Sequence, residues 1–172
     1  MDEPNNAEDV LKLHNILRSD PQRYMRIVNN WLLQNPNNVH AYFDRHFAQM
    51  NLGEPRLALE DMNRVVELAA SPGAFLARGD VYRHLGEYDR ALEDYNRGEA
   101  MDPSGWNDDA FGVLFQADCH ARLGDEEKAL AHCASLPDDF WTPGLKGAPA
   151  GDKARIADEL RRMASGAQRA RV

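Results

Sequence analysis

β-Branched residues are scarce in this chain. Eight Val, three Ile and a single Thr, Thr142, are all that 172 residues contain. Pleated sheets favour such side chains and helices tolerate them less well, so an all-α protein is expected. Cysteine is scarce too: Cys119 and Cys133 are too few for a disulfide-stapled domain. No run approaches the roughly 18 apolar residues of a transmembrane helix, and no membrane association is expected. Cations are outnumbered, with 20 Lys and Arg against 28 Asp and Glu, for a net charge of -8. That balance argues against nucleic acid, because non-specific affinity comes from cations neutralising phosphates. Met1-Asp2-Glu3-Pro4-Asn5-Asn6 is acidic and polar, the opposite of a secretory leader, so a cytoplasmic protein is expected.

What the chain does have is an internal repeat. Leu52-Gly53-Glu54, Leu85-Gly86-Glu87 and Leu123-Gly124-Asp125 share one pattern. Five residues beyond each glycine stands Ala58-Leu59, Ala91-Leu92 or Ala129-Leu130, and the glycines are spaced 33 and 38 apart. Each unit reads as two helices, such as 74–85 and 89–101. Glycine tolerates the left-handed conformation that ends a helix. The acidic residue after it favours the next helix dipole, and the alanine lets the second helix approach the first. Pro36 and Pro103 stop the second helices.

On these motifs the chain resembles the tetratricopeptide repeat (TPR) family, a 34-residue helix–turn–helix with W-x2-L-G-x2-Y, then A-x3-F, then P. The best match is Phe75-x2-Arg78-Gly79-x2-Tyr82, Ala91-x3-Tyr95, Pro103, departing at the Leu position with Arg78. The preceding unit reads Tyr42-x2-Arg45-His46-x2-Gln49 and Ala58-x3-Met62. There His46 replaces the small glycine, which predicts looser packing. The following unit reads Val113-x2-Gln116-Ala117-x2-His120 and Ala129-x3-Cys133. The resemblance implies a short superhelix of antiparallel helix pairs, with repeats over 39–71 and 72–105 and a TPR-like repeat over 110–136. A degenerate first repeat or cap is expected over 1–38, with helices at 8–17 and 22–34. Residues 137–150 read as a Pro/Gly/aromatic loop and 151–166 as an amphipathic capping helix, since solenoid ends must hide an apolar face. Residues 167–172 are expected to fray.

Charge is uneven. Residues 146–172 carry seven Lys and Arg against three Asp and Glu, net +4, leaving -12 on the rest. A solvated helix face is the simplest reading; docking onto an acidic partner is the other.

No catalytic motif is present: no G-x-S-x-G, Walker loop, G-x-G-x-x-G or H-E-x-x-H. The five serines sit at turns and helix ends. Asp108-Asp109 and Asp138-Asp139 read as capping and solubility features rather than acid/base pairs. Cys119-His120 with His132-Cys133 offers zinc-type ligands. Neighbouring helical residues point about 100° apart, however, so all four do not converge easily and reduced core fillers are the better reading. No metal, cofactor or enzymatic activity is expected.

In the family, ligands lie along the first helices of successive repeats. The positions carried over are His40, Phe43, Phe47, Met50 and Asn51; then Leu76, Asp80, Arg83 and His84; then Phe111, Leu114, Asp118 and Arg122. Phe43 and Phe47 share an i, i+4 stripe, as do Asp80 and His84. The Lys/Asn carboxylate clamp of chaperone-binding members has no counterpart, since this surface holds no Lys and its Asp80 and Asp118 repel anions. The expected function is a non-catalytic adaptor holding a peptide or helix in its concave groove; the alternative is a small acidic TPR chaperone shielding a secreted or assembling partner, and a metal-binding or enzyme-associated subunit ranks behind both. A self-associating protein using Trp31, Trp106 and Trp141, and a groove filled by Phe140-Trp141, are further possibilities.

Overall fold

The computed structural model describes residues 4, 7–144 and 148–170, with side chains for all of these except 7 and 107–109. They form ten helices and one two-stranded ribbon, in two compact units, residues 1–70 and 71–172.

The first unit comprises α1 (Ala7–Ser19), α2 (Pro21–Gln34), α3 (Val39–Leu52) and α4 (Pro55–Leu68). Asp20 caps α2 by accepting from the Arg23 amide, with Pro21 in the first turn, where its missing donor costs nothing. Asn38 caps α3 through the Ala41 amide. Leu13, Tyr24, Val28, Trp31 and Leu32 build a core against Ala41 and Ala48. Residues 8–34 therefore form a true helix pair.

The second unit holds α5 (Pro72–Leu85), α6 (Tyr88–Met101), α7 (Pro103–Asp109), α8 (Phe111–Arg122) and α9 (Glu126–Ser135). It ends with β1 (Trp141–Thr142), β2 (Gly151–Asp152) and α10 (Lys153–Arg169). Its core runs from Tyr95 and Trp106 through Leu114 and Phe115 to Ile156 and Leu160.

The three glycine turns share one geometry. Gly53, Gly86 and Gly124 have φ of +77°, +79° and +78°. The next amide reaches back five residues: Glu54 to the Gln49 carbonyl, Glu87 to Tyr82 and Asp125 to His120, at 2.8, 2.9 and 2.9 Å. Asp125 then caps α9 through the Lys128 amide, whereas Glu54 and Glu87, one methylene longer, make no capping bond.

Ala58, Ala91 and Ala129 are fully buried, as close helix approach requires. Opposite them the packing varies in compensating ways. A Cβ on Gly79 would lie 2.5 Å from the Tyr95 ring, so glycine makes room for a large aromatic. At the matching positions His46 accompanies Met62 and Ala117 accompanies Cys133. The looser packing expected at His46 is not found: His46 and Met62 are both buried, because the bulk added on one helix is removed from the other.

The arginines at the family's Leu position have a purpose of their own. Arg45 donates through Nε and Nη2 to both Asp61 oxygens at 2.8 and 2.6 Å, and Arg78 to both Asp94 oxygens at 2.6 and 2.8 Å. Asp61 and Asp94 are buried. The guanidiniums also lie over Tyr42 and Phe75. The α3–α4 and α5–α6 pairs thus carry the same two-pronged charge clamp, 33 residues apart.

Several expectations are corrected. α6 ends at Met101, as the stop at Pro103 requires, but Pro103 also opens a further short helix, α7, that the repeat pattern does not contain. The 137–150 loop contains β1, paired antiparallel with β2. α10 runs beyond the expected end at 166, through to Arg169, and the Gln168 side chain donates to the Gly124 carbonyl at 2.8 Å. Trp31 and Trp106 are core residues, unavailable for self-association, whereas Trp141 is exposed. The side chains of Asp108 and Asp109 and the tail beyond 170 lie outside the described residues.

Replacing Arg78 with Leu, the family residue, is expected to destabilise the fold by about 3–5 kcal/mol, because it takes both short hydrogen bonds from the buried Asp94 carboxylate and leaves it only the exposed Arg97, 3.9 Å away. The double variant Arg78→Leu/Asp94→Leu should recover most of that loss. Urea unfolding of both variants measures the difference.

Candidate functional site

In the first unit the candidate residues lie along α3. His40 and Asn51 are exposed, Phe43 and Met50 are half-buried, and Phe47 is 53 % exposed. The Phe47 ring leans on the buried His46 imidazole, centroids 4.2 Å apart, and Phe43 meets the same imidazole edge-on at 5.8 Å. The His46 Nδ1 is held by the Phe43 carbonyl. An inward histidine thus braces two aromatic rings, and one of them is left to solvent. Beside them Trp31, His40, Ala41 and Asp44 line a cleft of about 280 Å³.

The second unit treats its candidates differently. Leu76, Asp80, His84, Phe111 and Arg122 are half-buried, while Leu114 and Asp118 are fully enclosed and Arg83 nearly so. As groove-lining residues, Arg83, Leu114 and Asp118 are therefore corrected to interior positions. The cause is α8, whose residues 112–119 are all buried as α6, α9 and α10 pack around it. Phe140 packs edge-on against Phe111 at 6.1 Å, while Trp141 remains 65 % exposed. Half of the suspected Phe140-Trp141 plug is thus realised.

Arg83 and Asp118 are the buried centre of a continuous ionic chain. Arg83 donates through Nε and Nη2 to Asp80 at 3.0 and 2.7 Å, and through Nη1 to Asp118 at 3.2 Å. Arg122 Nε reaches both Asp118 oxygens at 3.1 and 2.9 Å. The two guanidiniums cover the Phe115 and Tyr88 rings. Burial works against the Asp80 carboxylate, but His84 and Arg83 outweigh it and hold its pKa below the usual range. The carboxylates expected to repel an anion are already neutralised, and the chain ties α5 to α8. Its signal in the sequence was the acid–base spacing Asp80-x2-Arg83 and Asp118-x3-Arg122, with the acids at matching repeat positions.

The zinc-type residues do not converge. His120 and His132 stack at 5.3 Å and 14°; Cys119 is enclosed in the core; the Cys133 thiol faces the Lys153 carbonyl at 3.7 Å. Among the described residues no group of three His, Cys, Asp or Glu is placed to hold a metal ion. Ser71 caps α5 through the Ala74 amide, and the hydroxyls of Ser19 and Ser135 bond local carbonyls.

Residues 48–105 match the tetratricopeptide repeat family model. That segment of the chain carries tetratricopeptide repeats. A segment of 86 residues is 31 % identical to Hsp70-Hsp90 organizing protein 3 of Arabidopsis thaliana, covering 48 % of this chain but only 15 % of that protein. The chain thus spans a small part of the length of that curated relative. Among solved structures, MamA superposes with a TM-score of 0.64 at 18 % identity, covering 90 % of this chain and 92 % of MamA. YrrB, described as a TPR protein with an unusual peptide-binding site, gives 0.59 at 18 % identity over 70 % of this chain and 62 % of its own. These likenesses establish a shared fold.

The histidines give the repeats a pH dependence of two signs. The Asp80 hydrogen bond holds His84 above the ordinary imidazole range, so its stabilisation is full at low pH and lost as pH rises through that raised value. Burial pushes His120 and His132 down, and each prefers to stay neutral; their contribution is lost as pH falls below the ordinary imidazole value. Urea midpoints between about pH 5 and 8 are expected to decline less on acidification in His120→Gln/His132→Gln than in the parent, and more steeply in His84→Gln.

Proposed function

We propose that this chain is a non-catalytic adaptor whose first unit captures a polypeptide on the outer face of α3. The observation that carries this reading is Phe47, a large aromatic left 53 % exposed and braced from beneath by His46. An exposed aromatic on a rigid helix has little ordering entropy to lose on binding, which is what an interface anchor requires. Phe43, Met50 and His40 extend the face along the helix at spacings that suit an amphipathic helix or an extended apolar peptide. The TPR fold supports the same class of function, since such repeats serve as protein-interaction scaffolds. An apolar partner suits this face better than a carboxylate-terminated one, because no lysine lies along it.

Affinity capture with the parent chain, repeated with Phe47→Ala, tests the reading. The substitution is expected to weaken partner binding by about 30-fold or more, the scale of a lost aromatic anchor. Stability should move by no more than about 0.5 kcal/mol, as for other surface changes. If binding persists in Phe47→Ala at unchanged helicity, the α3 face is not where the partner sits.

A further inference from the structure

A second recognition feature lies in the other unit, where the ribbon meets α10. The register pairs Trp141 with Asp152 and Thr142 with Gly151. Strand side chains alternate between faces, and Thr142 is buried, so Trp141 is directed outward and stands 65 % exposed. Gly151, at φ +112°, lets the Arg155 stem cross the ribbon, because a Cβ there would lie 3.0 Å from Arg155 Cδ. Arg155 and Arg162 are one heptad apart and so share a helix face. With Trp141, Pro143 and Glu159 they line a cleft of about 350 Å³.

The neighbouring cations are committed elsewhere. Lys153 is bound to the Leu136 carbonyl and Asp138, and Arg161 to Asp158. Among the described residues the Arg155 guanidinium has no hydrogen bond or ion pair, and Arg162 uses only its Nε, on the Asp158 carbonyl at 3.3 Å. The cleft therefore offers an exposed indole face flanked by two guanidiniums with free donors, against one carboxylate. The surrounding charge sharpens the selection. Residues 146–172 carry net +4 while the rest of the chain carries -12, so an acidic ligand is repelled generally and attracted here.

We infer that the Trp141–Arg155–Arg162 cleft is a docking site for a short acidic peptide segment carrying an apolar or aromatic side chain. The apolar group stacks on the indole, and carboxylates meet the guanidinium forks. This site is separate from the α3 face and does not depend on it.

Selection of a random 12-residue peptide library on the full chain tests the inference. Enriched peptides are expected to be rich in Asp and Glu around an apolar or aromatic residue. They should lose about 30-fold in affinity on Trp141→Ala and be released entirely by Arg155→Glu/Arg162→Glu at about 0.1 M salt. Glu159→Gln, which removes the cleft's own carboxylate, should tighten them. Because Trp31 and Trp106 are buried, acrylamide quenching reports on Trp141, which bound peptide should shield. Four results would overturn the inference. The enriched peptides could lack an acidic bias, or the charge-reversed chain could hold them equally well. They could instead be lost on Phe47→Ala, which would assign them to α3 and leave the adaptor reading intact. Lastly, concentration-dependent self-association abolished by Trp141→Ala would give the face to a second copy.

Discussion

Everything in this molecule depends on how closely the two helices of a pair can approach. A left-handed glycine reverses the chain at Gly53, Gly86 and Gly124. A fully buried alanine then removes bulk from the contact. In the α3–α4 and α5–α6 pairs an arginine on the first helix reaches a buried aspartate on the second and fixes register with two parallel hydrogen bonds. Packing alone is non-directional; the charge clamp is not, and Arg45 and Arg78 supply direction where related repeats rely on leucine. Tight pairs in turn decide which side chains are left over for recognition.

Much of this is legible in the sequence. Leu-Gly-acid followed by alanine marks the turns, and each marked glycine does take positive φ. The clamp is equally periodic, but Arg78 reads as a departure from a hydrophobic consensus until Asp94 is seen opposite it. His46 misleads for the same reason. Its size matters only together with Met62, and volume complementarity belongs to the pair rather than to either position. α7 and the ribbon escape a periodicity argument because seven helical residues and two paired strand residues are too short to establish a period.

The binding surface was less legible than the fold. Family register places α3 and α8 on equivalent faces, yet α3 leaves Phe47 exposed while α8 is enveloped. The difference comes from α10 and from Phe140, which close over α8 and Phe111, and neither follows from the repeat pattern. Arg83 and Asp118 then turn from recognition to cohesion, since a buried carboxylate must be paired. The aromatic α3 face and the basic rim around Trp141 remain, with complementary chemistries: one apolar, one suited to acidic segments.

The proposed adaptor role requires that the α3 face be occupied in the working protein. A photo-crosslinking phenylalanine analogue placed at position 47, with the same analogue at exposed Leu57 of α4 as control, tests it most directly. A discrete crosslinked polypeptide is expected from position 47 and none from position 57. Equal labelling from both positions, or none from position 47, would contradict it.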